Sequence, residues 1–359
     1  MKRIILYLVT SLLCSLHAYA QLSVPDSSAR VKLYKKERNK KFLENTLTYA
    51  PLSYASPPFF DIGSPKTAYI LSADIRPVFA IGGKWNKFPI HLSPRYKVRI
   101  FRDNINYGDS SLPVRTPSYM PGGTIFIPIR KKATLEMPLI DAAIEYEPKI
   151  LQYLSASFFH HSNGQDGNEF DQQGNFNYYN GNFSSNYVEL AYHYRFRSKG
   201  DPCTKAEDSC KCLEAFAPYK DYYFRLGLEK ALWTAQDLKS SYGPYRLNFS
   251  FSYLGIGSFC DKIGPKGQHK QYEPSYYGEK YRIVVDGTFI IGRRDRGLSN
   301  FDKRTNLTIS YNRRIKGSPN TAWFLGAGYY GSDPYNIYYP QSYPFVHAGL
   351  SMGFFVRTP

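Results

Sequence analysis

Beyond its first 20 residues this chain of 359 has no run of about 20 apolar residues, the length an α-helix needs to cross a bilayer. With a mean hydropathy of −0.43, that absence excludes a helical membrane bundle. Tryptophan (3) and methionine (4) are scarce, and acidic residues are few: 29 against 46 basic ones, for a net charge of +17. The low apolar content of a disordered chain is missing too, since 43% of residues are apolar and 17% aromatic. What is abundant is tyrosine (33), glycine (27), phenylalanine (24) and proline (24), spread over short alternating segments. With an export signal, such a composition predicts an all-β protein, a transmembrane antiparallel up-and-down β-barrel.

The signal is at the start. Lys2 and Arg3 precede an apolar core from Ile4 to Leu16, and Ala18-Tyr19-Ala20 forms an A-x-A cleavage site before Gln21. Cys14 is no lipidation site on this reading, because Leu13 sits where a small residue is needed. The expected organisation is a signal peptide over 1–20, a basic periplasmic lead-in over 21–45, solvated or lying against headgroups, and a barrel in the outer membrane over 46–359. The basic surplus suits anionic headgroups and a charged lumen, and no nucleic-acid partner is expected. Four cysteines follow the signal, Cys203, Cys210, Cys212 and Cys260. An even number in an exported chain reads as two disulfides with three connectivities open, and no His or second cysteine pair completes a zinc site around Cys210 and Cys212.

From residue 46 onward the dominant period is two. Ile90, Leu92, Pro94, Tyr96, Val98 and Ile100 alternate with His91, Ser93, Arg95, Lys97 and Arg99, and Tyr245, Leu247, Phe249 and Phe251 with Arg246, Asn248 and Ser250. Charged residues keep to the non-apolar face, where a polar lumen would hold them. Twelve strands are expected, at 46–55, 67–81, 89–101, 119–129, 150–162, 186–197, 220–232, 244–256, 280–292, 303–315, 320–330 and 345–357. An even number suits a bacterial barrel with both termini in the periplasm. Segments 102–118, 163–185, 233–243, 293–302 and 331–344 then face outward, while 198–219 and 257–279 share the periplasmic side and carry all four cysteines.

Chemistry concentrates in Phe158-Phe159-His160-His161-Ser162-Asn163-Gly164. A serine becomes a nucleophile when a base takes its proton and a third group orients that base. On a strand, His160 and Ser162 share a face with Leu154, Ala156 and Phe158, which makes it the lipid-facing one. On the next strand Asn186 shares the parity of Val188, Leu190, Tyr192 and Tyr194, whereas Glu189 belongs to the lumen face with His193 and Arg195. A histidine and a serine ending a lipid-facing stripe point to lipid as substrate. Gly349-Leu350-Ser351-Met352-Gly353 matches G-x-S-x-G, but it lies within the last alternating strand with Ser351 on the lumen face, and a nucleophile elbow needs a strand-turn-helix context.

His160-His161-Ser162-Asn163-Gly164 followed by Asn186 resembles the outer-membrane phospholipase A family, whose signature is H-x-S-N-G with an asparagine on the next strand. Pro113-Val114-Arg115-Thr116-Pro117-Ser118-Tyr119-Met120-Pro121 is similar to that family's P-x-R-x-x-x-Y-x-P segment. The resemblance implies a twelve-stranded barrel with a Ser162-His160-Asn186 triad that hydrolyses phospholipid acyl esters in the outer leaflet. It also implies calcium as cofactor, contact with phospholipids and lipopolysaccharide, and a homodimer. Gln165 stands where the family has arginine, and Leu112 where it places a serine, with Ser110 and Ser111 adjacent. Gln165, Asp166, Glu169, Asp171 and Ser111 are the expected calcium ligands, an oxygen-rich set suited to a hard cation. Oxyanion stabilisation is expected from the Ser162 or Gly164 backbone and a calcium-polarised water. The alternatives are a lipid A deacylase-like esterase using Glu189, and a non-catalytic pore or scaffold.

Overall fold

The computed structural model describes residues 27–57, 69–81, 88–101, 117–132, 149–163, 168, 170–175, 184–199, 219–234, 238–263, 271–295, 297–318, 320–334 and 339–353. A helix, α1 (Ser27–Thr48), leads into twelve strands. These are β1 (Ser53–Ser56), β2 (Tyr69–Ile75 and Phe79–Ile81), β3 (Ile90–Leu92 and Arg95–Phe101) and β4 (Ser118–Met120 and Gly122–Lys132). Then come β5 (Ile150–Asn163), β6 (Ser184–Lys199), β7 (Tyr219–Thr234) and β8 (Tyr245–Ile263). The last four are β9 (Gln271–Ile291), β10 (Thr305–Arg314), β11 (Thr321–Tyr330) and β12 (Tyr343–Met352). The breaks in β2, β3 and β4 fall at Pro77, Pro94 and Pro121, which have no N–H to give the ladder, and the register continues unshifted across those in β3 and β4.

Each strand pairs antiparallel with the next, and β12 pairs with β1 through Ser351 and Tyr54, so the sheet closes on itself. Closure leaves no sheet edge along the wall. The interior and exterior are the reverse of a water-soluble domain. Outward stand Leu154, Phe158, Leu190, Phe224, Leu226 and Leu228, all exposed, and inward lie Glu189, His193, Arg195, Asp221 and Arg246, all buried. Buried charges need partners, and they have them: Asp221 accepts two hydrogen bonds from Arg197, both at 2.6 Å, and one from the Tyr49 hydroxyl at 2.7 Å. Asp221→Leu would remove the carboxylate that pairs with Arg197 at 2.6 Å and lies 3.9 Å from Arg195. It is expected to cost about 3–5 kcal/mol, read as a lower urea midpoint for barrel unfolding.

The lead-in differs from expectation. Instead of a solvated segment ending at 45 and a strand from 46, α1 runs to Thr48 and its last turns sit inside the lumen. Phe42 is buried edge-on against Tyr153 (5.5 Å), Thr46 Oγ1 lies 3.1 Å from His91 Nε2, and Tyr49 stacks on Tyr223 at 4.4 Å. Asn45, Thr46 and Thr48 also bond back to carbonyls of their own helix, at 2.7, 2.7 and 2.9 Å. Arg282 donates to the Thr48 and Ala50 carbonyls at 2.6 and 3.1 Å, tying the helix end to β9. Contacts in the lumen thus outweigh the strand-like pattern at 46–48, and the expected first strand is kept only from Ser53.

At the other end, α2 (Lys239–Tyr242), α3 (Phe301–Arg304) and the segment after β11 gather around Arg294. Its guanidinium donates to the Ser241, Leu298 and Lys303 carbonyls and to the Tyr339 hydroxyl at 2.7–2.9 Å. Between these two ends lies a cavity of about 510 Å³, lined by Thr46 and Tyr49 on one side and Tyr242 and Tyr339 on the other.

Candidate active site on the outer wall

The site is built by strand parity. Along β5, Leu151, Tyr153, Ser155, Ser157, His161 and Asn163 are buried, while Leu154 and Phe158 are exposed and His160 and Ser162 are half-buried on the outward side. Along β6, Ser185, Tyr187, Glu189, Ala191 and His193 face inward, and Ser184, Asn186, Val188, Leu190 and Tyr192 face out. The register sets His160 opposite Asn186 and Ser162 opposite Ser184.

His160 Nδ1 and Asn186 Oδ1 are 3.0 Å apart. An amide oxygen only accepts, so Nδ1 carries the hydrogen and the lone pair of the neutral imidazole is on Nε2. That tautomer is the one a general base needs. Ser162 lies two residues further along the same face, and no hydrogen bond joins its hydroxyl to Nε2 among the described residues. The next-door His161 points into the lumen instead, with Nε2 2.5 Å from Ser118 Oγ.

Around the pair, two outward rows cross the wall. One runs Tyr96, Tyr119, Ser162, Ser184, and the other Pro121, His160, Asn186, Trp233. Trp233 reaches this face through a bulge: the register of β6 and β7 shifts between Ala231 and Trp233, turning an odd-numbered residue outward, where it is 65% exposed. Counting alternation along the sequence gives no warning of that shift. Tyr119 is the direct cross-strand neighbour of Ser162, a relation that only the β4–β5 register reveals.

Glu189 is on the lumen side, where it accepts hydrogen bonds from Arg225 and, at 2.9 Å, from Asn248. Gly227 on β7 leaves room for it: a Cβ there would lie 2.4 Å from the Glu189 carboxylate. Ser351 is likewise buried and inward, one residue before the end of β12.

Of the expected calcium ligands, Gln165, Asp166, Glu169 and Ser111 lie outside the described residues. Asp171 is described, and its carboxylate is committed to its own turn. Oδ1 accepts the Gln173 and Asn175 amides at 2.9 and 2.7 Å, and Oδ2 the Asn175 side chain at 3.2 Å. The Asn175 backbone amide, above all, holds this carboxyl below the usual carboxylate range. Among the described residues, no three His, Cys, Asp or Glu side chains stand together as a metal site. Cys203, Cys210 and Cys212, and the Cys260 side chain, also fall outside what is described. The Ser162 amide, expected as an oxyanion donor, is instead directed into the β4–β5 ladder.

No family model, no curated protein and no solved structure matches this chain.

Proposed function

We propose that the chain is an outer-membrane phospholipase A, with Ser162 as nucleophile, His160 as general base and Asn186 orienting the base. The observation that carries the reading is the 3.0 Å contact of His160 Nδ1 with Asn186 on the apolar exterior, beside a serine on the same face. Polar groups set into a lipid-facing stripe are costly unless they act on something there. The Ser162 hydroxyl adds to the ester carbon as its proton passes to Nε2, and the carbonyl electron pair moves to oxygen. Collapse expels the lysolipid alkoxide, which takes that proton from His160. Water then repeats the sequence on the acyl-serine, releasing fatty acid and restoring Ser162.

Two observations favour this reading over its rivals. A deacylase-like role for Glu189 needs that carboxylate on the outer wall, but it is buried on the lumen side with Arg225 and Asn248. A wide pore is disfavoured because α1 takes up part of the lumen and loops pack around Arg294 at the far end. The full chain in detergent should release fatty acid and lysophospholipid from phospholipid vesicles. Release from lipid A alone would favour the deacylase, and release from neither would leave a barrel without this chemistry.

Calcium is implied only by the resemblance to the phospholipase family. If the loop after Asn163 holds one, excess chelator should lower hydrolysis about tenfold or more. Calcium should then restore it better than magnesium, because calcium accepts six to eight oxygens in flexible geometry. Full activity in chelator would remove the metal and leave His160 and Ser162 in place.

A further inference from the structure

We infer that the phenol of Tyr119 is the hydrogen-bond donor that meets the oxyanion formed when Ser162 attacks an ester. The inference rests on the esterase reading and adds a catalytic residue to it. A serine hydrolase usually draws on backbone N–H groups for this purpose. On β5 that route is closed at Ser162. His160 N–H donates to the Pro121 carbonyl at 3.0 Å, and in an antiparallel ladder the residue two further on turns its amide to the same strand. Ser162 is accordingly paired with Tyr119 and its amide is committed to β4.

The side of the nucleophile left free is also the side where Tyr119 stands. His160 is drawn toward β6 by Asn186, so proton transfer occupies that flank. On the β4 flank Tyr119 is the direct neighbour, outward and 42% exposed. Cα atoms of such a pair are about 5.5 Å apart. A tyrosine side chain is longer than a serine's, which gives the phenol of this neighbour the reach to meet an oxygen bound above Ser162. Tyr96 holds the ring edge-on, with centroids 5.8 Å apart and planes at 85°. The phenol makes no hydrogen bond among the described residues, so its O–H is available to a substrate.

An interfacial aromatic anchor would show the same exposure, and Tyr119→Phe separates the two because it keeps the ring and removes only the donor. The full chain is assayed in detergent micelles on a thioester phospholipid analogue, beside Ser162→Ala and Tyr96→Phe. Tyr119→Phe is expected to lower kcat about 100- to 1000-fold. KM should stay within about twofold, with the shape of the pH profile and the heat-modifiable migration unchanged, and Tyr96→Phe should match wild type within about twofold. Wild-type kcat in Tyr119→Phe, or a loss confined to KM, with Ser162→Ala inactive, would overturn the role of Tyr119 and leave the esterase reading standing. A wild-type chain that hydrolyses nothing would overturn both.

Discussion

Ser162→Ala is expected to lower phospholipid hydrolysis by about 10⁴-fold or more. The reason is that, among the described residues, no other serine stands in its place. Ser184 is on the same face opposite Ser162, but His160 is on β5 and its Nδ1 is held by Asn186, so its free nitrogen serves its own strand. Ser351, the serine of the G-x-S-x-G stretch, is 1% exposed and faces the lumen. Removing one hydroxyl from the wall takes nothing from the strand ladder, whose bonds are all main-chain. The variant should therefore keep the heat-modifiable migration of a folded barrel. Activity within tenfold of wild type would end the assignment of Ser162.

Asn186→Ala is expected to cost about tenfold to a hundredfold, and more than Glu189→Gln. The amide fixes the ring so that Nε2 is the basic nitrogen; without it the imidazole rotates and populates the other tautomer. Being neutral, it does less for the imidazolium than a carboxylate would, which keeps the expected loss well below that of Ser162→Ala. Glu189→Gln leaves a group of the same shape in the lumen, where it can still accept from Asn248. Its effect should appear in stability, through the weakened partner of Arg225, rather than in kcat. The reverse ranking in a kcat comparison would favour a lumen-side carboxylate as the orienting group.

Much of this architecture is legible in the sequence because a barrel wall encodes its faces by a period of two. The parity that puts Leu154, Phe158, His160 and Ser162 outward is that of the strand in the structure, and the same holds for Asn186 against Glu189. Parity fails where the ladder is irregular. Trp233 is turned outward by one extra residue in β7, and nothing local to Ala231-Leu232-Trp233 announces it. It also fails where an element answers to the lumen rather than the wall. Residues 46–48 continue a helix because Phe42, Thr46 and Tyr49 find partners inside the barrel, partners contributed by β3, β5 and β7 from far along the chain. The pairing of Tyr119 with Ser162 is of that kind as well: strand register is a property of two segments, and one segment read alone cannot supply it.

The central claim is that Ser162 is a nucleophile activated by His160 on the outside of the barrel. It is tested most directly by incubating the full chain in detergent with a long-chain alkyl sulfonyl fluoride and mapping the adduct by peptide mass spectrometry. The account predicts one sulfonylated residue, Ser162, with labelling lost in His160→Ala and retained in Glu189→Gln. An adduct on Ser351 or another serine, or labelling of Ser162 that does not depend on His160, would contradict it.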